Sequence, residues 1–238
     1  MTSDTILGRR LVPVVFGLTS LSLIACAPAA PETAEVSSAP SASSETLDVR
    51  VPGGTYVSDP NHTTMQVAID HLGLAPYAAY LSDVSVRLIL DTDAPDTSSV
   101  MVTADPSSVF TSYRGDYKAT HPNSNFSTWE EAIARQFLGA DTQDTITFTS
   151  TDIDYDGGSS GQVTGDLSMN GMTKSVTFDF TLTGQSESHP FTQQAALGFA
   201  AHGQVSRADF GIAGNMNAFL SDAVDVTFSA DFTLDTDN

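Results

Sequence analysis

The sequence is poor in two residue classes, basic side chains and cysteine. Its 238 residues contain nine Lys and Arg against 29 Asp and Glu, a formal net charge of −20. So acidic a chain repels phosphate backbones and anionic headgroups, so we expect neither nucleic acid nor a charged membrane surface as a partner. The acidic residues most simply solvate the surface. The single cysteine, Cys26, excludes an internal disulfide.

The sequence also lacks several motifs of common metal sites and phosphate-binding sites. It contains no His-Glu-x-x-His string, no Cys-x-x-Cys string and no glycine loop between a strand and a helix. Asp152, Asp154 and Asp156 imitate the start of a calcium loop, but the twelfth position, which needs a bidentate Glu, is Val163. We therefore predict no enzyme activity, no metal and no cofactor. The histidines also lack metal-ligand spacing: His62, His71, His121, His189 and His202.

A basic and then apolar segment opens the chain. Arg9 and Arg10 precede an apolar stretch of about 14 residues, 11–24, which has the length of a signal-peptide core. A helix that spans a membrane needs about 20 residues, so this stretch is too short. Residues 1–25 are therefore predicted to be an export signal.

The apolar stretch ends in Leu23-Ile24-Ala25-Cys26, which resembles the bacterial lipobox. The resemblance implies cleavage before Cys26 and acylation of its thiol and of the new amine, and such multiple chains anchor a protein firmly. In some Gram-negative bacteria, an aspartate directly after the lipidated cysteine indicates retention in the inner membrane. This chain has Ala27 at that position, so the periplasmic face of the outer membrane is the expected location. A simple secretory signal with a coincidental cysteine is the alternative.

Residues 26–50 follow as a segment of Ala, Pro, Ser, Thr and Glu with almost no large apolar side chains. Such a composition does not bury enough surface to offset its ordering entropy, so we predict a flexible tether after Cys26. Residues 51–238 are the predicted folded domain.

Within this domain, apolar and polar residues alternate with period two, which is typical of strands with one buried face. Runs of this kind with little helical sequence between them predict an antiparallel sheet, and closure into a barrel of about eight strands would remove exposed edges. Turns are predicted at Asp59-Pro60-Asn61, Asp156-Gly157-Gly158, Asn170-Gly171 and Gly184. The clearest alternating runs are 65–69, 84–90, 145–149, 176–182 and 224–232.

Up to three short helices interrupt the strands. Residues 106–112 and 215–220 each predict a short helix. Ser127 and Glu130 have the spacing of a capping box, with Ser127 as N-cap. Trp129, Ile133 and Phe137 then recur at spacing four, which predicts a helix of about ten residues with one apolar face over an end or a side of the barrel.

Four patches of the sequence, taken in order, point to a known family. They are YVSDPNH at 56–62 with HLG at 71–73, DPSSV at 105–109 with Thr111, TFTS at 147–150 with GDLSMNGMTK at 165–174, and RADFGI at 207–212. Together they resemble the YceI family of bacterial periplasmic proteins, from about Tyr56 to Leu234. The family's fold is a lipocalin-like antiparallel barrel, and the resemblance implies an apolar interior that holds an isoprenoid chain, such as the tail of a quinone or polyprenyl compound. No catalytic chemistry is assigned to the family as a whole.

Under this resemblance, the inward faces of the strands line the ligand cavity. The same alternation also arises when side chains simply fill a barrel, which would leave a structural or interaction lipoprotein whose partner meets residues 113–138. Which face points inward is inferred from the pattern alone. The predicted ligand-binding residues are Met65, Val67, Ile69, His71, Val86, Leu88, Phe148, Phe178, Phe180, Phe199 and Phe228.

Three polar residues have alternative roles in this scheme. His71 either donates to a ligand or binds backbone at a strand end. Arg207 and Asp209, two apart, are predicted to share a strand face and to lock the turn at Gly211, with ligand contact as the alternative.

The stretch 113–126 departs from the family pattern. If this stretch forms the mouth of the cavity, the head group or the length of the ligand is expected to differ.

Overall fold

The computed structural model describes residues 49–155, 158–212 and 218–236. The predicted signal peptide, Cys26 and the tether up to residue 48 lie outside these residues, and so do residues 215–217 of the predicted helix at 215–220. That helix prediction is wrong at Leu220, which begins a strand. Contacts divide the chain into two units, Met1–Ala42 and Ser43–Asn238. The described residues all belong to the second unit, which holds a complete core, so a fragment that starts at Ser44 is expected to fold on its own.

Ten strands make up most of the described chain. Their alternating sequences favour the extended backbone because one face of each strand is buried. The strands are β1 Gly54–His71, β2 Ala75–Leu81, β3 Val84–Leu90, β4 Ser99–Ala104, β5 Val109–Thr111, β6 Ile146–Tyr155, β7 Ser160–Met169, β8 Met172–Ser186, β9 Ala196–Ser206 and β10 Leu220–Leu234.

The strands form one antiparallel sheet in the order β10-β9-β8-β7-β6-β4-β3-β1-β2-β5, and β10 also pairs with β1. This last pairing closes an eight-stranded barrel from β1, β3, β4 and β6–β10 and confirms the predicted fold class. β2 and β3 together follow β1 from His71↔Ala75 to Gly54↔Leu90. They therefore behave as one long strand with a break at Ser82 and Asp83. The neighbouring strand is interrupted at the same level, because β4 pairs with β3 and β5 pairs with β2.

The two faces of β3 show why the alternation predicted strands correctly. Val84, Val86 and Leu88 are buried, whereas Ser85 and Arg87 between them are exposed. These three apolar residues face the barrel interior, and Ile89 on the other face is exposed, because successive side chains of a strand point to opposite faces. Tyr56 of β1 is completely buried in the same core, and its hydroxyl donates to Pro52 O at 2.7 Å.

The predicted turns have different outcomes. Asn170 and Gly171 have φ values of 51° and 70° and form the tight β7–β8 hairpin, as predicted. Asp59-Pro60-Asn61 does not reverse the chain: it lies inside β1, at a bulge between Ser58 and Thr63, where Asp59 Oδ1 accepts from Asn61 N. Gly184 likewise lies inside β8, at an irregularity of its pairing with β9. Of the predicted turn at 156–158, only Gly158 is described.

Two α-helices occur among the described residues, α1 Tyr117–Thr120 and α2 Trp129–Phe137. The prediction for α2 is confirmed except at its cap. Thr128, not Ser127, is the N-cap: its Oγ1 accepts from Glu131 N at 3.0 Å. Glu131 in turn accepts from Ser127 N at 2.7 Å. The first bond is that of a capping box displaced by one residue, whereas the second involves the amide of Ser127, which precedes the N-cap.

The predicted helix at 106–112 is wrong for most of its length. Only Pro106–Ser108 forms a 3₁₀ turn, and Val109–Thr111 is strand β5. Asp105 caps the turn by accepting from Ser107 N at 2.7 Å. Ser108 then bonds across the break between β2 and β3, because its carbonyl accepts from Ser82 N and its hydroxyl from Asp83 N. Two further 3₁₀ turns are Pro95–Thr97 and Ala208–Phe210.

Candidate ligand-binding cavity

The barrel encloses a cavity of about 890 Å³. Its lining is mainly apolar and runs from Val49, Leu90 and Ser98 at one end to His71 and Trp129 at the other. We call the second end the α2 end, because Trp129, Ile133 and Phe137 of that helix contribute to its lining. The cavity therefore extends between the two ends of the barrel.

All eleven predicted ligand-binding residues line this cavity. The inward faces were thus assigned correctly from the alternation, and contact of these residues with a ligand stays a prediction. Their burial differs. Val86, Leu88 and Phe148 are buried, whereas Met65, Val67, Phe178, Phe180 and Phe199 are half-buried and face the open space.

Three inward-facing glycines shape the wall formed by β6–β9. A Cβ atom on Gly165 would lie 2.5 Å from the Phe148 ring, and one on Gly203 would lie 2.6 Å from the Phe178 ring. A Cβ atom on Gly161 would lie 2.8 Å from the Phe180 ring. The phenylalanine rings therefore lie over bare backbone of the neighbouring strand and leave the lumen open. Sequence reasoning missed this role, although glycines inside alternating runs signal close backbone approach.

The phenylalanines of this wall also contact one another edge to face. Phe148 and Phe178 have ring centroids 5.6 Å apart, and Phe180 and Phe199 are 6.1 Å apart. Phe199 contacts Phe232 at 5.9 Å. Such contacts add to the stability from buried area and fix the orientation of the rings. The phenylalanine rings of the lining are therefore held in fixed orientations.

An aromatic cluster closes the α2 end. It consists of Tyr77, Tyr113, Tyr117, His121 and Trp129, and we call it the aromatic cluster below. Trp129 is in ring contact with the other four, at centroid distances of 5.7 to 6.1 Å. His121 also stacks on Tyr117 at 4.5 Å. Sequence reasoning assigned none of these five residues to the site, though four of them lie in the 113–138 segment that was expected to meet a partner if the barrel were filled.

Two polar atoms of the aromatic cluster lack hydrogen-bond partners. Tyr77 Oη and Trp129 Nε1 are shielded from solvent, and the structure gives neither a partner among the residues that it describes. Buried polar groups are nearly always paired, so each such exception needs an explanation. Both side chains line the cavity.

Arg207 is buried where β9 leads into the Ala208–Phe210 turn. Its Nε donates to Ser221 O at 2.8 Å, and its two Nη atoms donate to Ile212 O and Leu220 O, both at 3.2 Å. These bonds tie the Gly211 turn to the start of β10, so the predicted structural lock is confirmed for Arg207.

The predicted pairing of Arg207 with Asp209 on one strand face is wrong, because the chain leaves β9 before Asp209 and enters the 3₁₀ turn. Asp222 has the structural role instead, accepting from Ser206 Oγ at 2.6 Å and from Ala208 N at 2.8 Å. These two hydrogen bonds hold the pKa of Asp222 below its usual value.

His71 lies at the end of β1, is exposed and lines the α2 end of the cavity. Within the described chain its imidazole makes no hydrogen bond, so a backbone-bound histidine has no support from the structure. His62 lies in the bulge of β1 and is exposed. Its Nδ1 lies 2.7 Å from Asp59 Oδ2, and this hydrogen bond raises the pKa of His62.

The residues described here contain no group of three or more His, Cys, Asp or Glu placed to hold a metal. The string GGSSG at 157–161 fits the Gly-x-Ser-x-Gly spacing of serine hydrolases, but its described residues lead into strand β7 and not into a helix. The nucleophile elbow of those enzymes joins a strand to a helix. Over the described ranges, no helix is long and apolar enough to cross a bilayer.

Comparison with solved structures shows a shared fold. BcnA of Burkholderia cenocepacia superposes with a TM-score of 0.58 at 18% identity, covering 73% of this chain and 98% of that one. The Campylobacter jejuni YceI protein gives 0.54 at 20% identity, covering 70% and 90%. A polyisoprenoid binding domain from Saccharophagus degradans gives 0.52 at 11% identity, covering 77% and 100%.

Comparison of sequences identifies the family. The family model for the YceI-like domain matches residues 56–232. Protein YceI of Escherichia coli is 31% identical over 170 residues, which cover 71% of this chain and 81% of that protein. A UPF0312 protein of Staphylococcus epidermidis is 29% identical over 184 residues, which cover 74% and 96%. The chain belongs to the YceI family.

Proposed function

We propose that this chain is a cell-envelope lipoprotein whose barrel binds one isoprenoid-type lipid, for carriage or sequestration. The observation that carries the proposal is the cavity of about 890 Å³ between the barrel ends, lined mainly by apolar side chains. This volume falls in the upper part of the range of about 300–1,000 Å³ that is typical of ligand sites. The polyisoprenoid binding domain of similar fold supports the ligand class.

The lining suits a long apolar chain. Burial stabilises by about 25 cal/mol per Å² of apolar surface, so a flexible tail in a preformed tunnel needs few polar contacts. The half-buried Phe178, Phe180 and Phe199 present ring faces and edges to the open space. A filled barrel would bury these rings, so the cavity favours lipid binding over the filled-barrel interaction protein. A binding role needs no catalytic residue, and we propose none.

The membrane anchor is the second part of the proposal. It rests on Arg9, Arg10 and the Leu23–Cys26 string, which precede the folded unit. Between Cys26 and Val49 lie 22 residues. At about 3.3 Å per residue, such a segment would reach on the order of 70 Å when extended, enough to hold the barrel clear of the bilayer.

Native mass spectrometry tests the ligand. A fragment from Ser44 to Asn238, exported to a bacterial periplasm, is expected to show a mass excess that disappears after organic extraction, and tandem analysis of the extract identifies the lipid. A bare mass before extraction, together with no uptake when polyprenols and quinones are offered, would contradict the proposal. It would favour the interaction protein.

Metabolic labelling tests the anchor. The full chain is expected to incorporate labelled palmitate and to sediment with membranes, whereas Cys26→Ser is expected to lose both properties. Ser44→Cys in the Cys26→Ser background is the matched control, since it restores a thiol outside the lipobox-like string. Labelling of that control, or membrane retention of Cys26→Ser, would argue against lipidation at Cys26.

A further inference from the structure

The α2 end of the cavity differs chemically from the rest of its lining. Tyr77 Oη and Trp129 Nε1, which have no partner among the described residues, both belong to side chains that line it, and their rings meet edge to face at 6.1 Å. Two buried polar groups without partners are costly, and a purely hydrocarbon ligand would leave them unpaired. The geometry therefore calls for an oxygen or nitrogen atom of the ligand at this end.

The hydrogen-bonding capacity of the two groups defines that atom. An indole N–H only donates, and a phenol hydroxyl donates or accepts. An oxygen acceptor, such as a carbonyl or a hydroxyl, suits either group. The remaining lining is mainly apolar, so the ligand has one polar end and a long apolar tail.

The charges around the aromatic cluster favour a neutral head group. Lys118 of α1 donates to Ser124 O at 2.6 Å, and the guanidinium of Arg207 donates to three backbone carbonyls. Glu130 of α2 accepts from Thr111 Oγ1 at 2.7 Å and adds negative charge. With a net charge of −20 on the chain, a phosphate head would meet repulsion that the exposed Arg114, next to Tyr113, offsets only in part.

We propose that Tyr77 and Trp129 form a subsite for the neutral, oxygen-bearing head group of the lipid, an inference that rests on the proposed function. Rings of the aromatic cluster surround the indole, and His121 among them is exposed. These rings must shift for a head group to reach Tyr77 Oη and Trp129 Nε1, because both atoms are shielded from solvent. The tail then lies along the phenylalanines of β6–β9.

Four probes with C20 chains separate head from tail: geranylgeraniol, menaquinone-4, geranylgeranyl phosphate and phytane, which has no head. Trp129 is the only tryptophan, so its emission reports on the subsite without labelling. The Ser44–Asn238 fragment, freed of lipid, is expected to bind the alcohol and the quinone more tightly than the phosphate or phytane. The alcohol is expected to shift the emission of Trp129, and phytane is not.

Tyr77→Phe is the decisive variant. Loss of one hydrogen bond is expected to weaken geranylgeraniol about three- to tenfold and to leave phytane within about twofold. Because the variant removes a buried hydroxyl that has no partner, the ligand-free fragment is expected to melt about 1–4 °C higher. Tyr80→Phe is the control: Tyr80 follows on the same strand, stacks on Phe110 and does not line the cavity. It is expected to change neither quantity.

Each other outcome has a defined meaning. Unchanged affinity of Tyr77→Phe for the alcohol would overturn the subsite, and so would an equal loss for phytane, which would assign the hydroxyl a role in cavity shape alone. Preference for the phosphate over the alcohol would overturn the neutral head group. Failure of all four probes to bind the unmodified fragment would instead overturn the proposed function.

Discussion

The two sides of the barrel line one cavity in different ways. On the β3 side, Val86 and Leu88 are buried among their neighbours. On the β6–β9 side, Phe178 and Phe180 are half-buried and lie over the glycines of adjacent strands. The first side behaves like an ordinary core, whereas the second is held open because backbone takes the place of side chains beneath the rings. Stability and ligand capacity should therefore respond differently to mutation on the two sides.

The largest effect is expected from filling the lumen on the open side. Ala201 of β9 lines the cavity and is the cross-strand neighbour of Phe180 on β8. Ala201→Trp would displace roughly 100 Å² or more of buried ligand surface, which at about 25 cal/mol per Å² weakens lipid binding on the order of 100-fold. Fluorescence would be confounded by the new indole, so calorimetric titration measures the affinity.

Ala200→Trp is the matched control for this variant, because Ala200 directly precedes Ala201 in β9 and points to the other face of the sheet. It is expected to bind lipid normally. Equal affinities of the two variants would show that the lumen does not hold the ligand.

The next largest effect is expected at the glycines. A Cβ atom on Gly165 would lie 2.4 Å from Thr149 O as well as 2.5 Å from the Phe148 ring, so the backbone must move. Gly165→Ala is expected to lower the free energy of unfolding by about 2–3 kcal/mol in urea titration. Gly184→Ala, where nothing lies within 4 Å, should change it by less than about 0.5 kcal/mol. Similar values for both glycines would mean that the rings do not depend on Gly165.

A comparison across the barrel separates stability from binding. Val84 is buried on the β3 side and does not line the cavity, so Val84→Ala is expected to cost about 1–2 kcal/mol of stability and to leave lipid affinity unchanged. Phe178→Leu is expected to cost less stability, because its ring is half-buried, and to weaken lipid binding a few-fold. Urea titration and calorimetry of both variants check this, and the reverse pattern would contradict the assignment of the two sides.

The smallest effect is expected at Tyr56. Burial of its hydroxyl raises the pKa of Tyr56 from 10.0 to about 12. In the unfolded chain the hydroxyl ionises near pH 10, whereas in the fold it keeps its proton to higher pH. The unfolded state then binds fewer protons, so stability falls as the pH rises from 10 toward 12. Tyr56→Phe is expected to lose about 1 kcal/mol at pH 7 with its hydrogen bond to Pro52 O.

The same variant is expected to show a shallower alkaline decline than the unmodified chain. Thermal melts at pH 7, 10 and 11 measure both changes. An identical alkaline decline in the two proteins would show that Tyr56 does not titrate as its burial implies.

Much of this fold was predictable, because the sequence pattern and the structure share one physical cause. Alternation in 84–90 reflects one buried and one wet face of β3, and that cause assigned every predicted lining residue to the interior. Local turn chemistry was less reliable. Asp59-Pro60-Asn61 has turn residues, yet pairing with β10 on both sides of the segment turns it into a bulge.

The remaining features depend on contacts between distant residues. The glycines at 161, 165 and 203 shape the cavity only through rings on neighbouring strands, and these pairings follow from the register of the barrel. Tyr77 meets Trp129 across about fifty residues of chain, so no local pattern joined them. The N-cap of α2 differed by one residue because Ser127 and Thr128 both suit that position and the path of the chain selects one.

The most direct test of a lipid-binding cavity is calorimetric titration of the lipid-free Ser44–Asn238 fragment with geranylgeraniol at several temperatures. Burial of an apolar tail is marked by a negative heat-capacity change. The account predicts saturable binding of one molecule per barrel, with a negative heat-capacity change that is lost in Ala201→Trp. Absence of saturable binding, or binding whose heat capacity is unchanged in that variant, would contradict it.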